Sequence, residues 1–87
     1  MREILVEICE KIGVDTLAVL GRKRDKEIAY CRMIVVGFIC RQNKYSLKKI
    51  GKFLNRDHST IIYLRQTFEN LLEIKDPILM DALSQLE

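Results

Sequence analysis

The chain has 87 residues, 48% of them hydrophobic and 31% charged, which is enough for one small domain with one core and excludes a large multi-domain enzyme. The net charge of +3 is mild, but its distribution is uneven. Residues 21–56 carry +9, whereas residues 1–20 carry −2 and residues 57–87 carry −4. A basic middle between acidic ends predicts a surface that faces a polyanion.

The cysteine pattern and the N-terminal sequence exclude several further classes. Cys9, Cys31 and Cys40 form no CxxC pair and there is one histidine, so we expect reduced thiols, no metal and no cofactor. Acidic residues interrupt the start of the chain, and the longest apolar run covers only residues 33–40. We therefore expect a cytoplasmic protein with no membrane partner, folded as a single domain over residues 1–87.

Helical periodicity organises the first half of the chain. Apolar residues at helical spacing predict a helix over about residues 2–12, which Gly13 ends. Asp15 is placed to cap a short helical turn over residues 16–20, which is ended by Gly21. A basic loop over residues 22–26 leads into a long segment that reaches Arg41.

The segment from Asp25 to Arg41 is predicted to be a helix with Ile28, Cys31, Val35, Phe38 and Ile39 in one stripe, widened by Ala29, Val36 and Cys40. Residues 33–40 alone also fit a buried strand. We favour a helix because the periodic pattern begins at Ile28 and because the sequence offers no second strand for pairing.

The second half of the chain contains three further predicted helices. Ser46 is placed to cap a helix that reaches Leu54, and the next helix begins at Asp57 or His58 and runs through Leu72. Pro77 suits the first turn of a last short helix, whose apolar positions include Ile78. The predicted fold is all-α, with five or six helices around one core and a helix-turn-helix at about residues 46–72.

The helix-turn-helix prediction depends on two positions. Such a motif needs a small residue where the second helix passes close to the first, and a residue in the turn that tolerates left-handed backbone. Gly51 and Asn55 occupy these places. Ser59 and Thr60 follow at the start of the second helix, where short polar side chains and N–H groups meet phosphates and base edges. The alternative is an ordinary helical hairpin that does not bind DNA.

Two stretches carry a family resemblance that covers most of the chain: residues 12–28 (IGVDTLAVLGRKRDKEI) and residues 46–62 (SLKKIGKFLNRDHSTII). With them the chain resembles the C-terminal DNA-binding domain of the bacterial replication initiator DnaA, a family similar to the tryptophan-repressor class of helix-turn-helix proteins. The resemblance implies sequence-specific binding to short sites on double-stranded DNA, one domain per site, in replication initiation or its regulation.

The resemblance also implies which residues touch DNA. Arg24 would enter the minor groove from the basic loop, and Asp57, His58 and Ser59 would face base edges in the major groove. Contacts to the DNA backbone would come from Arg22, Lys23, Arg32, Lys48, Thr60 and Tyr63. The chemistry suits these roles, because Asp accepts from cytosine N4, His donates to a guanine acceptor, and Arg matches a narrow, electronegative minor groove.

Each of these residues can also be explained without a contact to DNA. Asp57 can serve as the N-cap of its helix, alone or together with base contact, and His58 can be a solvated side chain. The basic run over residues 22–26 can be a solvated charge run. The lysines at 48, 49 and 52 can form the water-facing side of their helix.

Catalysis is not predicted, and neither is a small-molecule substrate. Asp57, His58 and Ser59 have the residue types of a catalytic triad, but adjacent residues on a helix point about 100° apart and cannot form a proton relay. Two classes of function stay open besides a role in replication initiation: a stand-alone transcription regulator, and a helical protein-interaction module whose basic face binds an acidic partner.

Overall fold

A computed structural model of the chain describes residues 1–22 and 24–86, and these form six α-helices. They are α1 (Arg2–Ile12), α2 (Thr16–Leu20), α3 (Lys26–Arg41), α4 (Leu47–Leu54), α5 (His58–Glu73) and α6 (Pro77–Leu86). The all-α prediction is confirmed, including the helical conformation of residues 33–40. The largest differences in the bounds are one residue at the start of α3 and one at the end of α5.

Local sequence determines where several helices begin and end. The N–H of Leu17 donates to Asp15 Oδ1 at 3.4 Å, and the N–H of Lys49 donates to Ser46 Oγ at 3.1 Å. These bonds satisfy N–H groups that the first turn of a helix leaves without an intrahelical partner. Gly13 ends α1 in the left-handed region at φ 76°, as the sequence predicts.

Helix α3 lies against α1, α2 and α5, and the core forms around it. Its central residues Met33–Val36 and Ile39 are all 4% exposed or less. One cluster joins Val35, Val36 and Ile39 to α1, α2, α4, the start of α5 and the end of α6, and a second joins Met33 and Ile34 to Phe68 of α5 and Leu79 of α6. Helix α5 therefore packs directly on α3, and α4 packs on α5.

Gly37 sets how closely α3 and α5 approach each other. A Cβ atom at this position would lie 2.1 to 2.5 Å from side-chain atoms of Phe68, which is fully buried. Only glycine leaves room for this ring, so α5 is held against the backbone of α3. No pattern in the sequence around Gly37 indicates this requirement.

Ala29 and Ile78 were predicted on apolar faces but are exposed. Ala29 is exposed beside half-buried Ile28, and Ile78 is 64% exposed beside fully buried Leu79. Successive residues on a helix point about 100° apart, so the neighbour that faces the core turns the other outward. None of the helices formed by residues 1–22 and 24–86 combines the length and apolar character that crossing a membrane requires.

Candidate nucleic-acid interface

The turn between α4 and α5 has the geometry that the sequence predicts. Asn55 adopts left-handed backbone at φ 55° and ψ 46°, which Asn tolerates better than most residues. The N–H of Arg56 then donates to the carbonyl of Gly51 at 2.8 Å. A Cβ atom on Gly51 would lie 2.9 Å from the main-chain oxygen of Arg56 and 3.3 Å from Ile61 Cγ1. The packing requirement for Gly51 is confirmed.

The start of α5 presents three polar side chains to solvent. Asp57 holds the N-cap position, and Asp57, His58 and Ser59 are all exposed. The Ser59 hydroxyl donates to the Asp57 carboxylate, and this bond is the largest cause of a pKa for Asp57 below its usual range. Asp57 is therefore ionised at neutral pH, and its carboxylate and the lone pairs of Ser59 form one adjacent group of acceptors.

The predicted backbone-contact residues differ in how far they are exposed. Lys48 is exposed on α4, while on α5 Thr60 is half-buried and Tyr63 is 66% exposed. Arg22 and Arg24 are exposed in the basic loop. Lys23 was also predicted to contact the backbone, and it lies outside the described residues.

Neighbouring lysines on α4 differ in their surroundings. Lys49 Nζ lies 5.7 Å from the centroid of the Tyr45 ring, within the range of a cation–π contact. Lys48 and Lys49 are both exposed and adjacent in sequence, so they form a matched pair for comparison.

Arg32 has a structural role that the sequence analysis did not predict. Its Nε donates to the carbonyl of Val19 at 2.8 Å, and its Nη2 donates to the carbonyls of Ala18 at 3.2 Å and Gly21 at 3.1 Å. These oxygens belong to the end of α2, where helix carbonyls lack intrahelical partners. Half-buried Arg32 thus fastens the end of α2, just before the basic loop, to α3.

Arg56 is a second residue that the sequence analysis missed. Its Nη2 donates to the same Gly21 carbonyl that Arg32 contacts, and its Nη1 donates to the carbonyl of Leu54 at 3.4 Å. Burial lowers the pKa of its guanidinium, and the charge of Arg22 lowers it further. The main chain of Arg56 lies between left-handed Asn55 and the N-cap Asp57, but no local sequence pattern indicates that its side chain reaches Gly21.

Other features lie apart from these residues. A mostly apolar cavity of about 450 Å³ lies between α1, α3 and α6, and none of the predicted contact residues lines it. Within the described part of the chain, no group of three or more His, Cys, Asp and Glu side chains is placed to hold a metal ion.

Comparison with known proteins finds one family. The family described as bacterial DnaA protein helix-turn-helix matches residues 1–67. Chromosomal replication initiator protein DnaA of Thermoanaerobacter sp. (strain X514) is 34% identical over 92 aligned positions, covering 99% of this chain and 20% of that protein. DnaA of Jannaschia sp. (strain CCS1) is 34% identical over 83 positions, covering 94% of this chain and 18% of that protein. DnaA of Bacteroides thetaiotaomicron is 29% identical over 73 positions, covering 83% of this chain and 16% of that protein. The chain thus spans a fifth or less of the length of these relatives.

Proposed function

The chain belongs to the bacterial DnaA helix-turn-helix family, and from this premise we propose that it binds a short, specific site on double-stranded DNA, in replication initiation or its regulation. Residues 1–87 act as one DNA-binding domain, and one domain occupies one site. No residue has a catalytic role in this proposal. The relatives are whole initiators, so their other activities are not assigned to this chain.

One observation carries the proposal most directly. Three exposed polar side chains, Asp57, His58 and Ser59, stand at the first turn of α5, immediately after a turn built by Gly51 and Asn55. An α-helix fits the major groove of B-form DNA, and the N-terminal residues of a recognition helix reach base edges there. We assign α5 as this recognition helix.

The three side chains offer different chemistry to the bases. Ionised Asp57 accepts from the N4 amino group of cytosine, and His58 donates to a guanine acceptor. The Ser59 hydroxyl donates its hydrogen bond to Asp57, so the lone pairs of its oxygen are left to accept a hydrogen bond from a base. The group therefore favours a base pair that presents an amino donor next to one that presents acceptors.

The remaining predicted contacts position the domain. Arg24 enters the minor groove, where a guanidinium matches the negative potential of A·T-rich sequence. Backbone contacts come from Arg22, Lys23, Arg32, Lys48, Thr60 and Tyr63. Arg32 already donates to main-chain carbonyls, so we expect its replacement to destabilise the fold as well as weaken binding.

Selection of duplexes from a random pool tests the proposal. We expect recovery of one short motif, bound at least about 10³-fold more tightly than random duplex. Uniform recovery of all sequences would refute sequence-specific binding. Failure to bind any duplex at low salt, together with binding to acidic peptides, would support the protein-interaction alternative instead.

A further inference from the structure

Three arginines from separate parts of the sequence meet at the end of α2. Arg22 follows Gly21 directly, Arg32 reaches the Gly21 carbonyl from α3 at 3.1 Å, and Arg56 donates to the same oxygen from the turn between α4 and α5. A single main-chain oxygen thus connects the start of the basic loop, the central helix and the helix-turn-helix.

Electrostatics show that these groups are close enough to interact. Burial lowers the pKa of the Arg32 guanidinium, and the charge of Arg56 lowers it further. Burial likewise lowers the pKa of Arg56, and the charge of Arg22 lowers it further. Like charges repel, so the arrangement needs compensation within the fold. The carbonyls at the end of α2 supply it, since they carry partial negative charge and accept the hydrogen bonds.

Arg56 is held at both its main chain and its side chain. Its N–H donates to Gly51 at 2.8 Å, and its guanidinium bonds to Gly21. The next residue, Asp57, is the N-cap of α5. Any movement of the Gly21 carbonyl is therefore transmitted through one side chain to the first turn of α5.

We propose that Arg56 is a positioning residue that fixes the basic loop relative to α5. Arg24 then contacts the minor groove in a fixed register with the contacts that Asp57, His58 and Ser59 make in the major groove. The inference rests on the proposed function and deepens it. Arg56 contributes to specificity through Arg24, without touching a base.

A double-mutant cycle on duplex binding tests this coupling. Arg24→Ala in the parent chain should weaken binding to the preferred site by about 5- to 150-fold. In an Arg56→Gln background the same substitution should weaken binding by less than about 3-fold, because a loop that is no longer fixed relative to α5 does not place Arg24 in the minor groove when α5 lies in the major groove. Arg56→Lys keeps the charge but loses the planar fork, and we expect it to behave like Arg56→Gln.

Arg65→Gln is the matched control. Arg65 is an exposed arginine on α5 outside the assigned contacts, so its removal changes the net charge equally. The full cost of Arg24→Ala should persist in this background. Equal costs of Arg24→Ala in all backgrounds, or a parent-like Arg56→Lys, would overturn the positioning role and leave Arg56 as a simple phosphate-side charge.

A base analogue makes the readout specific to the minor groove. Replacing adenine by 2,6-diaminopurine adds an amino group to the minor groove and leaves the major-groove edge unchanged. We expect this replacement beside the site to weaken binding by the parent and by Arg65→Gln, and to have little effect on Arg56→Gln. An equal penalty for all three proteins contradicts the proposal.

Hydrogen exchange on the DNA-free protein separates this inference from the proposed function. In Arg56→Gln, exchange should accelerate at the amides of Gly21 and residue 56, whose N–H groups donate to Leu17 at 2.9 Å and to Gly51 at 2.8 Å, while the central amides of α3 and α5 stay protected. Unchanged exchange at these two amides overturns the coupling whether or not DNA binds. Absence of duplex binding by the parent refutes the proposed function alone.

Discussion

At the scale of single residues, the bond between Ser59 and Asp57 makes two side chains act as one acceptor group. Asp57→Asn keeps a residue suited to the N-cap but introduces an amide that also donates, so the preferred base should change. His58→Ala should lower affinity for the best site by about 1–3 kcal/mol and leave affinity for random duplex nearly constant. The ratio of specific to non-specific binding is the quantity to measure for both variants.

Folding stability provides the control for this pair. Both variants should unfold near the parent, because His58 is exposed and Asn replaces Asp well at a helix start. If both retain the parent's specificity ratio, these residues do not read bases.

Lys48 and Lys49 allow a second residue-scale comparison. Lys48→Ala should remove one phosphate contact, which weakens binding to all duplexes alike and reduces the salt slope by about 1. Lys49→Ala should change binding little, since its ammonium already lies over the Tyr45 ring. Titrations of both variants at several salt concentrations measure the difference. Equal losses would show that α4 acts only through diffuse charge.

At the scale of elements, Gly51 determines how α4 and α5 meet. Gly51→Ala would bring a Cβ to 2.9 Å from a main-chain oxygen, which can move only if the turn moves. We expect a loss of about 1–3 kcal/mol in the free energy of unfolding, despite the preference of about 1 kcal/mol for Ala over Gly inside a helix. Urea unfolding measures this, with exposed Lys52→Ala on the same helix as the control. Unchanged stability in Gly51→Ala would mean that the helices can separate at no cost.

The elements themselves were predictable, because caps and periodicity are local. Asp15, Ser46, Gly13 and Asn55 each act within a few residues of their own position, so the sequence alone indicates their roles. Gly37 was not predictable in this way, since its requirement comes from Phe68, 31 positions later.

For the candidate site, sequence could predict the exposure of residues at a helix start but not the contacts between distant residues. Exposure of Asp57, His58 and Ser59 follows from their place at a helix start. The hydrogen bonds of Arg32 and Arg56 to the carbonyl of Gly21 could not be predicted in this way. They join residues that are distant in sequence, and no local pattern indicates them.

At the scale of the whole molecule, the concentration of positive charge in residues 21–56 predicts a strong dependence of binding on salt. Contact with about four to seven phosphates gives a slope of about −4 to −6 in a plot of log affinity against log salt concentration. Titrations with one duplex across a salt series measure it. A slope near zero would argue against binding along the phosphate backbone.

Stability should also depend on pH through a bond that links α3 to the segment before α6. The Tyr30 hydroxyl donates to Asp76 Oδ2, which also accepts from the N–H of Leu79. Burial, followed by this bond, raises the pKa of Tyr30, and the bond lowers that of Asp76. The hydrogen bond between Tyr30 and Asp76 therefore stabilises the fold fully between about pH 4 and pH 10. This stabilisation is lost as Asp76 gains a proton below this range or as Tyr30 loses one above it.

Tyr30→Phe tests this dependence. The variant should melt at a lower temperature than the parent at pH 7, and the difference should shrink at both pH extremes. Thermal unfolding at three pH values measures it, with exposed Tyr63→Phe as the control. A difference that is the same at every pH would show that Tyr30 acts by packing alone.

The tight contact between Gly37 and Phe68 has a mechanical consequence for DNA. Since α5 cannot shift on α3 without displacing a buried ring, and Arg56 bonds the end of α2 to the turn before α5, we expect the proposed contacts of Arg24 and of α5 with the two grooves to keep a fixed spacing. Any mismatch in groove width or twist then has to be absorbed by the double helix. We therefore expect flexible pyrimidine–purine steps to be favoured in the stretch between the two contacted grooves, at base pairs that no side chain touches.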